Sequence, residues 1–159
     1  SLRARGVVVI WVTHANSRVP GGSDWDGFFD RFVAEDVRDK TIESLAPGSP
    51  DTLPWEGLDV HRKDIHIFKN RYSALIRGSS SLEEILRGRG LHNILITGTK
   101  TNVCCEATGR DAMMLDFNTV MVSDCLAALS DQEHLASLET FIQQFGDVLN
   151  HVEILELVV

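Results

Sequence analysis

Short apolar runs alternate with helical patterns along this chain, and this alternation limits the folds that it can adopt. The runs at residues 7–13, 94–97 and 119–123 are rich in β-branched side chains and contain no charges. Continuous runs of this kind are typical of strands that are buried on both faces of a parallel sheet. The sequence therefore predicts an α/β fold of three layers, in which helices cover both faces of a mainly parallel, Rossmann-like sheet.

The other predicted elements continue this alternation. Two further strands are predicted, at residues 64–69 and 152–159. Four helices are predicted, around residues 28–37 and at residues 81–89, 104–115 and 130–145. Capping boxes are predicted at the start of two of these helices, by the pairs Ser81/Glu84 and Ser130/Glu133.

The beginning of the chain reads as the end of a helix. Arg3 and Arg5 suit the negative end of a helix dipole, and Gly6 can close the last turn. A helix does not begin one turn before it ends. We therefore expect that a first strand and helix are missing upstream of Ser1.

The length and composition indicate a single folded domain. A chain of 159 residues can bury a substantial core, and no repeat or linker divides it, so residues 1–159 are predicted to form one domain. Residues 15–54 are rich in Gly, Pro, Ser and Asp. Because long irregular segments in compact domains often cover binding sites, we expect this one to act as a lid or insertion loop.

Charge and hydropathy exclude several classes of function. The net charge is −8 and there is no block of Lys and Arg, which argues against a nucleic-acid partner. No apolar run reaches the roughly 18 residues that a membrane span needs, and no signal peptide is evident. Two of the three cysteines are adjacent, which is a poor disulfide framework and fits free thiols in a cytoplasmic protein.

Cys104 is the candidate nucleophile. It follows the predicted strand at residues 94–97 and begins a predicted helix, whose unpaired N–H groups and positive dipole end favour a thiolate. The alternative is an inert core cysteine, because free thiols are often buried. The next residue, Cys105, points about 100° further around the helix and is interpreted as a core residue.

Other reactive side chains follow the ends of neighbouring strands. Ligands of open α/β sheets bind beyond the carboxyl ends of the strands, which brings Lys69, His14, Asp124 and Cys104 toward one edge. Lys69 would favour the thiolate of Cys104, or else reach solvent. His14 is either a partner of Cys104 or a polar strand cap, and Asp124 is interpreted as a cap or turn residue. Candidate substrate contacts are Trp11, His14, Arg71 and Tyr72.

Metal binding has little support in the sequence. The pairs Asp59/His61 and Asp64/His66 are two residues apart, a spacing that alternation in a strand produces by chance, and no third ligand is evident. We therefore predict no metal and no cofactor.

With these residues identified, the chain resembles the isochorismatase-like superfamily of cysteine hydrolases. The resemblance is carried by residues 69–74, 98–108, 110–112 and 122–124 and extends from Arg3 to Val159. It is greatest to the branch of ureidoacrylate amidohydrolases, biuret hydrolases and N-carbamoyl amidases.

The resemblance implies an Asp–Lys–Cys triad, with Cys104 as nucleophile and Lys69 as the lysine. It also implies a cis peptide bond between Thr99 and Lys100, and an oxyanion hole formed by the backbone N–H groups of Lys100 and Cys104. The chain departs from the family in two respects. No Asp here matches the triad Asp, which lies in an upstream strand. Lys100 replaces a small or apolar residue, so its side chain either leaves the pocket or favours an anionic substrate.

The resemblance implies an enzyme: a cysteine-dependent hydrolase that cleaves a C–N bond in a small amide or ureido substrate through an acyl-enzyme. The resemblance also implies that the protein forms a homodimer or homotetramer. The alternative is a catalytically impaired relative that only binds a ligand, because the triad Asp is unmatched. A nicotinamidase using Asp59 and His61 for a metal, and a redox pair of Cys104 with Cys105, are further alternatives. The presence of Cys104 argues against the ether-cleaving isochorismatases.

Overall fold

The computed structural model of this chain describes residues 1–158 and divides into two compact units. We call residues 8–71 the Lys69 unit, and residues 1–7 with 72–158 the Cys104 unit. Each unit is described by itself. The prediction of a single domain stays a prediction.

The Lys69 unit is built on two parallel strands, with a small ribbon and one helix between them in sequence. Its elements are β1 (Ile10–His14), β2 (Arg18–Val19), β3 (Gly22–Ser23), α1 (Glu35–Ser44) and β4 (Ile65–Lys69). β1 pairs in parallel with β4, and β2 with β3 in antiparallel. β1 was predicted to be buried on both faces, but all five of its residues are half-buried. Within residues 1–158, β1 has β4 as its one strand neighbour, which leaves it less covered than a central strand.

The helix predicted around residues 28–37 is wrong. Those residues begin with a π-helical turn, Asp26–Asp30, and the α-helix starts only at Glu35. Phe28 and Phe29 pack against Trp25, and their ring centroids lie 4.9 and 6.3 Å from that of Trp25, respectively. These aromatic contacts hold this stretch in a separate turn. α1 begins with Glu35 and Asp36, whose charges suit the positive end of a helix dipole.

The Cys104 unit contains a three-stranded parallel sheet and four helices. In chain order its elements are α2 (Leu82–Gly88), β5 (Asn93–Thr99), α3 (Glu106–Met114), β6 (Asn118–Ala127), α4 (Asp131–Gln144), β7 (Asp147–Leu149) and α5 (His151–Leu157). The strand order is β5-β6-β7 and both pairings are parallel. One core cluster joins the sheet to α4; it consists of Ile96, Cys105, Met121, Leu126, Leu138 and Phe141.

The strand predicted at residues 152–159 is also wrong, since residues up to Leu157 form α5. Asn150 accepts hydrogen bonds from the backbone N–H groups of Val152 and Glu153, and the Glu153 carboxylate accepts one from the N–H of Asn150. This capping box fixes a helix start in an apolar segment whose composition also suits a strand. Val159, the last residue of that prediction, lies outside the described residues.

The predicted caps of the other helices had different outcomes. Ser81 makes no capping hydrogen bond; the hydroxyl of Ser80 instead accepts one from the N–H of Leu82 at 3.1 Å. Ser130 does cap α4, accepting from the N–H of Glu133 at 3.2 Å. Gly6 closes a 3₁₀ turn, Leu2–Arg5, with φ of 83°, as its place in the sequence predicted. None of the helices formed by residues 1–158 is long and apolar enough to span a bilayer.

Candidate active site

Cys104 lies in a helical turn that connects β5 to α3. The peptide bond between Thr99 and Lys100 is cis, as the resemblance led us to expect. Residues Thr101–Cys105 then form a π-helical turn that continues directly into α3. The helical backbone therefore begins three residues earlier than predicted, and Cys104 is the fourth residue of the helical segment.

The two adjacent thiols have different surroundings. Cys104 is half-buried, whereas Cys105 is 6% exposed and belongs to the core cluster, as predicted. The thiol of Cys105 points to the carbonyl oxygen of Thr97 at 3.9 Å. Because neighbouring residues of a helix point in different directions, a core position for Cys105 directs Cys104 away from the core.

Side chains near Cys104 connect its turn to the segment after Arg71. The hydroxyl of Thr108 donates to the carbonyl oxygen of Cys104 at 2.7 Å and accepts from the N–H of Ala74 at 3.1 Å. Burial, and secondarily the charge of the Cys104 thiolate, raise the pKa of Tyr72 above its usual range. The phenol of Tyr72 is therefore close enough to the sulfur to interact with it electrostatically.

Helix α4 braces the turn that carries Cys104, a feature that the sequence analysis missed. The fully buried Thr101 shares a hydrogen bond of 2.9 Å between its hydroxyl and Nδ1 of His134. Ser137 donates to the carboxylate of Glu106 at 2.5 Å, and the same carboxylate accepts from Arg110 at 2.9 Å. The i, i+3 spacing of His134 and Ser137 places both on one face of α4, which is the signal that could have found this contact.

Backbone hydrogen bonds also stabilise the start of this turn. The carbonyl oxygen of Lys100 accepts hydrogen bonds from the N–H groups of Val103 and Cys105, both at 3.2 Å. The assignment of an oxyanion hole to the N–H groups of Lys100 and Cys104 stays a prediction.

Lys69 ends β4 in the Lys69 unit and is buried, with 5% of its surface exposed. Its Nζ donates to the carbonyl oxygen of Arg71 at 2.8 Å and contacts Nδ1 of His14 at 3.0 Å. The solvent-directed lysine that the sequence left as an alternative is thus wrong. β1 and β4 pair with His14 opposite Lys69, which places both side chains on the same face of the sheet.

His14 also belongs to a network of polar side chains. Its Nε2 lies 2.5 Å from Oδ1 of Asn16, and Nδ2 of Asn16 donates to Asp24 at 2.8 Å. Burial, together with the charge of Lys69, lowers the pKa of His14 to about 4. His14 is therefore neutral at physiological pH. Its pairing with Cys104, the less favoured of the two interpretations from the sequence, stays a hypothesis.

The candidate substrate contacts of the Lys69 unit differ in how they are held. The guanidinium of Arg71 lies over the ring of Trp25, 5.2 Å from its centroid. The indole N–H of Trp11 donates to the carboxylate of Asp64 at 2.9 Å, and its ring stacks on His66. Trp11 is thus bound to its own strand pair, while its role in substrate binding is untested.

The remaining acidic candidates have structural contacts. Asp124 lies within β6 and its carboxylate accepts a hydrogen bond from the N–H of His151 at 2.9 Å and pairs with the same residue's imidazole. This contact lowers the pKa of Asp124. Because β6 continues to Ala127, Asp124 does not follow the end of a strand as expected and is not a turn residue; its carboxylate instead caps the first N–H of α5. Asp64 also accepts a hydrogen bond from the N–H of His61 at 2.9 Å. Residues 1–158 contain no cluster of three or more His, Cys, Asp or Glu side chains that could bind a metal.

Comparison with known sequences identifies relatives over almost the whole chain. The family model described as the isochorismatase domain matches residues 1–153. The chain is 34% identical over 116 residues to enterobactin synthase component B of Escherichia coli strain K12, a match that covers 73% of this chain and 35% of that protein. It is 29% identical over 156 residues to the ureidoacrylate amidohydrolase RutB of a Klebsiella pneumoniae strain, covering 92% and 65%. The chain thus spans less than two thirds of either relative.

Solved structures share the fold. A cysteine hydrolase from Pseudomonas syringae pv. phaseolicola 1448A superposes with a TM-score of 0.77 at 29% identity, over 98% of this chain and 74% of that one. An N-carbamoylsarcosine amidase from Thermoplasma acidophilum superposes with a TM-score of 0.69 at 21% identity, over 94% and 75%. These likenesses confirm the predicted α/β fold.

Proposed function

Because the chain belongs to the isochorismatase family, we propose that it is a cysteine-dependent hydrolase that cleaves a C–N bond in a small carbamoyl or amide substrate. The observation that carries the proposal is the placement of Cys104. The residue is half-buried in a helical turn after a parallel strand, close to the Tyr72 phenol, while the neighbouring Cys105 is held in the core.

The proposed reaction has two steps. The thiolate of Cys104 attacks the carbonyl carbon and forms a C–S bond, and the C–N bond then breaks as the nitrogen leaves with a proton. Water then hydrolyses the resulting thioester, or the thiocarbamate where the carbonyl belongs to a carbamoyl group, which releases the acid and regenerates the thiol. The N–H groups of Lys100 and Cys104 would stabilise the oxyanion in both steps, and Lys69 would stabilise the thiolate, an assignment supported by the sequence motif.

The substrate class follows from the relatives and from the local charges. The RutB relatives are named ureidoacrylate amidohydrolases, which supports a ureido or amide group. Lys100 and Arg71 would favour an anionic substrate. Residues 15–54 would serve as the lid, and we retain a cytoplasmic homodimer or homotetramer without metal or cofactor as the working assembly.

Thiol reactivity and hydrolysis test the proposal together. In iodoacetamide at about pH 6, we expect Cys104 to be alkylated first in peptide maps, since only thiolates react. Cys125 is the internal control: it is more exposed, but burial of its sulfur and the charge of Asp124 raise its pKa. Replacing Cys104 with Ser should lower product release from ureido and carbamoyl compounds by roughly 10³-fold or more, and Cys125→Ser should not.

Two results would contradict the hydrolase. One is faster alkylation of Cys125 than of Cys104, and the other is full activity in Cys104→Ser.

A further inference from the structure

We propose that His14 is a positioning residue for Lys69, acting as a neutral acceptor that is itself anchored through Asn16 to Asp24. This inference rests on the proposed function, because it assumes that Lys69 serves the reaction. It differs from the sequence-based interpretation of His14 as a substrate contact or as a partner of Cys104.

The strand register creates the contact. His14 and Lys69 are paired positions at the carboxyl ends of β1 and β4, so their side chains extend from the same face of this strand pair. Nζ of Lys69 lies 3.0 Å from Nδ1 of His14 and 2.8 Å from the carbonyl oxygen of Arg71. Lys69 is 5% exposed, so water is a poor substitute for either partner.

The direction of each hydrogen bond is fixed by chemistry. An ammonium group only donates, so Nδ1 of His14 must accept from Lys69. In a neutral imidazole the proton is then on Nε2, which donates to Oδ1 of Asn16 at 2.5 Å. This choice also orients the Asn16 amide, because its Nδ2 donates to Asp24 at 2.8 Å. All three contacts are consistent with a single arrangement of protons.

Asp24 anchors the far end of this network. Its second carboxylate oxygen accepts from Nδ2 of Asn70 at 3.2 Å, and Nδ2 of Asn16 also lies 3.3 Å from the carbonyl oxygen of Asn70. Asn16 is completely buried. The residue after Lys69 in the chain is therefore bound to the same carboxylate as the network that begins at Lys69 Nζ.

The charges around His14 maintain its role as an acceptor. Burial and the nearby cations Lys69 and Arg71 disfavour a second proton on the ring, and the hydrogen bond to Asn16 and the Asp24 carboxylate only partly oppose them. Nδ1 of His14 therefore remains a hydrogen-bond acceptor throughout the pH range in which a histidine of ordinary pKa would titrate. With two N–H groups of Lys69 directed to His14 and to the Arg71 carbonyl, tetrahedral geometry sets the direction of the third.

The tautomer of His14 can be measured without any assay of activity. In ¹⁵N-labelled protein, long-range ¹H–¹⁵N spectra between about pH 5 and 8 should show His14 neutral, with its proton on Nε2. A proton on Nδ1, or a charged ring across that range, would overturn the proposal, because neither form accepts from Lys69.

Kinetics test whether the contact matters for turnover. We expect His14→Leu to lower kcat by about 10- to 100-fold, the usual effect of losing a hydrogen bond to a charged group, with a smaller change in KM. His14→Asn should retain more activity, because its amide oxygen is as many bonds from Cα as Nδ1 is. His92→Ala, which removes an exposed imidazole just before β5, is the matched control and should match the unmodified protein.

The outcomes separate this inference from the proposed function. If Cys104→Ser is inactive while His14→Leu keeps its full kcat, the positioning role is wrong and the hydrolase stands. If His14→Asn is as impaired as His14→Leu, the acceptor is not what matters, and the inference again fails. If Cys104→Ser remains active, the hydrolase is wrong, and the spectra still decide whether His14 accepts from Lys69.

Discussion

His14 is the residue at which burial and neighbouring charge act most clearly in the same direction. Its half-buried ring lies beside Lys69 and Arg71, and its pKa is lowered to about 4 from an ordinary 6.5. The native protein therefore binds no proton on this ring in a pH range where an unfolded chain would. That difference connects a local contact to the stability of the protein.

The difference predicts a pH dependence of stability. Between about pH 6.5 and 4 the unfolded state binds the proton and the native state does not, so acidification favours unfolding. The free energy of unfolding should fall as the pH decreases through this window, by less than about 3 kcal/mol from His14, because solvent partly screens a half-buried ring. Urea denaturation at several pH values measures it.

His14→Asn provides the control for this prediction. Asparagine does not titrate, so the variant should lose this part of the decline while keeping the decline that carboxylates cause at lower pH. An unchanged slope between about pH 6.5 and 4 in the variant would show that His14 is not the group responsible.

At the level of elements, α3 lies close to α4 because Gly109 has no side chain. A Cβ at Gly109 would lie 2.5 Å from a ring carbon of Phe141, which is completely buried in the core cluster, and 3.2 Å from Ile96. This close approach is what allows α4 to reach the turn that carries Cys104.

Gly109→Ala should therefore destabilise the protein. Displacing Phe141 from a close-packed core should reduce the free energy of unfolding by about 1–3 kcal/mol, measured by urea denaturation. Gly88→Ala is the matched control: an added Cβ at this position of α2 meets nothing within 4 Å, and alanine favours a helix by about 0.5–1 kcal/mol. Equal effects of the two substitutions would contradict the packing argument.

The elements also show what a sequence pattern can predict. β5 and β6 were predicted because continuous β-branched runs are hard to place elsewhere than in a buried strand. The segment at residues 152–157 failed because Val and Ile in a short apolar run suit both strand and helix. The capping box of Asn150 and Glu153 favours a helix here, and this pair could have been recognised in the sequence.

At the scale of the whole molecule, the two ends of the described chain meet in the Cys104 unit. The side chain of Arg5 donates to the carbonyl oxygens of Leu155 and Val158, at the end of α5. Leu2 contributes to an apolar cavity of about 200 Å³ that Ile154 and Leu155 also line. A cation at the negative end of a helix is favourable, so Arg5 joins segments far apart in sequence.

Arg5→Ala should lower the thermal midpoint of the protein by about 2–4 °C, the change expected from the loss of about 1 kcal/mol in a protein of this size. Differential scanning calorimetry measures the shift. Arg77→Ala removes an exposed arginine of the same unit and should leave the midpoint unchanged. A midpoint that is the same in both variants would contradict a stabilising role for Arg5.

The candidate site could be predicted in part. The rule for strand ends correctly placed Lys69 and His14 at the carboxyl ends of paired strands. Their hydrogen bond could not be foreseen, because it depends on the register between β1 and β4, and one residue of slip would separate the two side chains. The contact of His134 with Thr101 was not predicted for a related reason, because it depends on how α4 packs against the turn.

The π-helical turn at Thr101–Cys105 has a consequence for anyone who engineers this protein. Wider turns of this type contain one more residue than the α-helix that they interrupt, and they recur at functional sites. Removing one of the residues that precede Cys104 in this turn would rotate the sulfur by about 100° relative to β5. Libraries aimed at new selectivity should therefore vary the side chains of this segment but preserve its residue count.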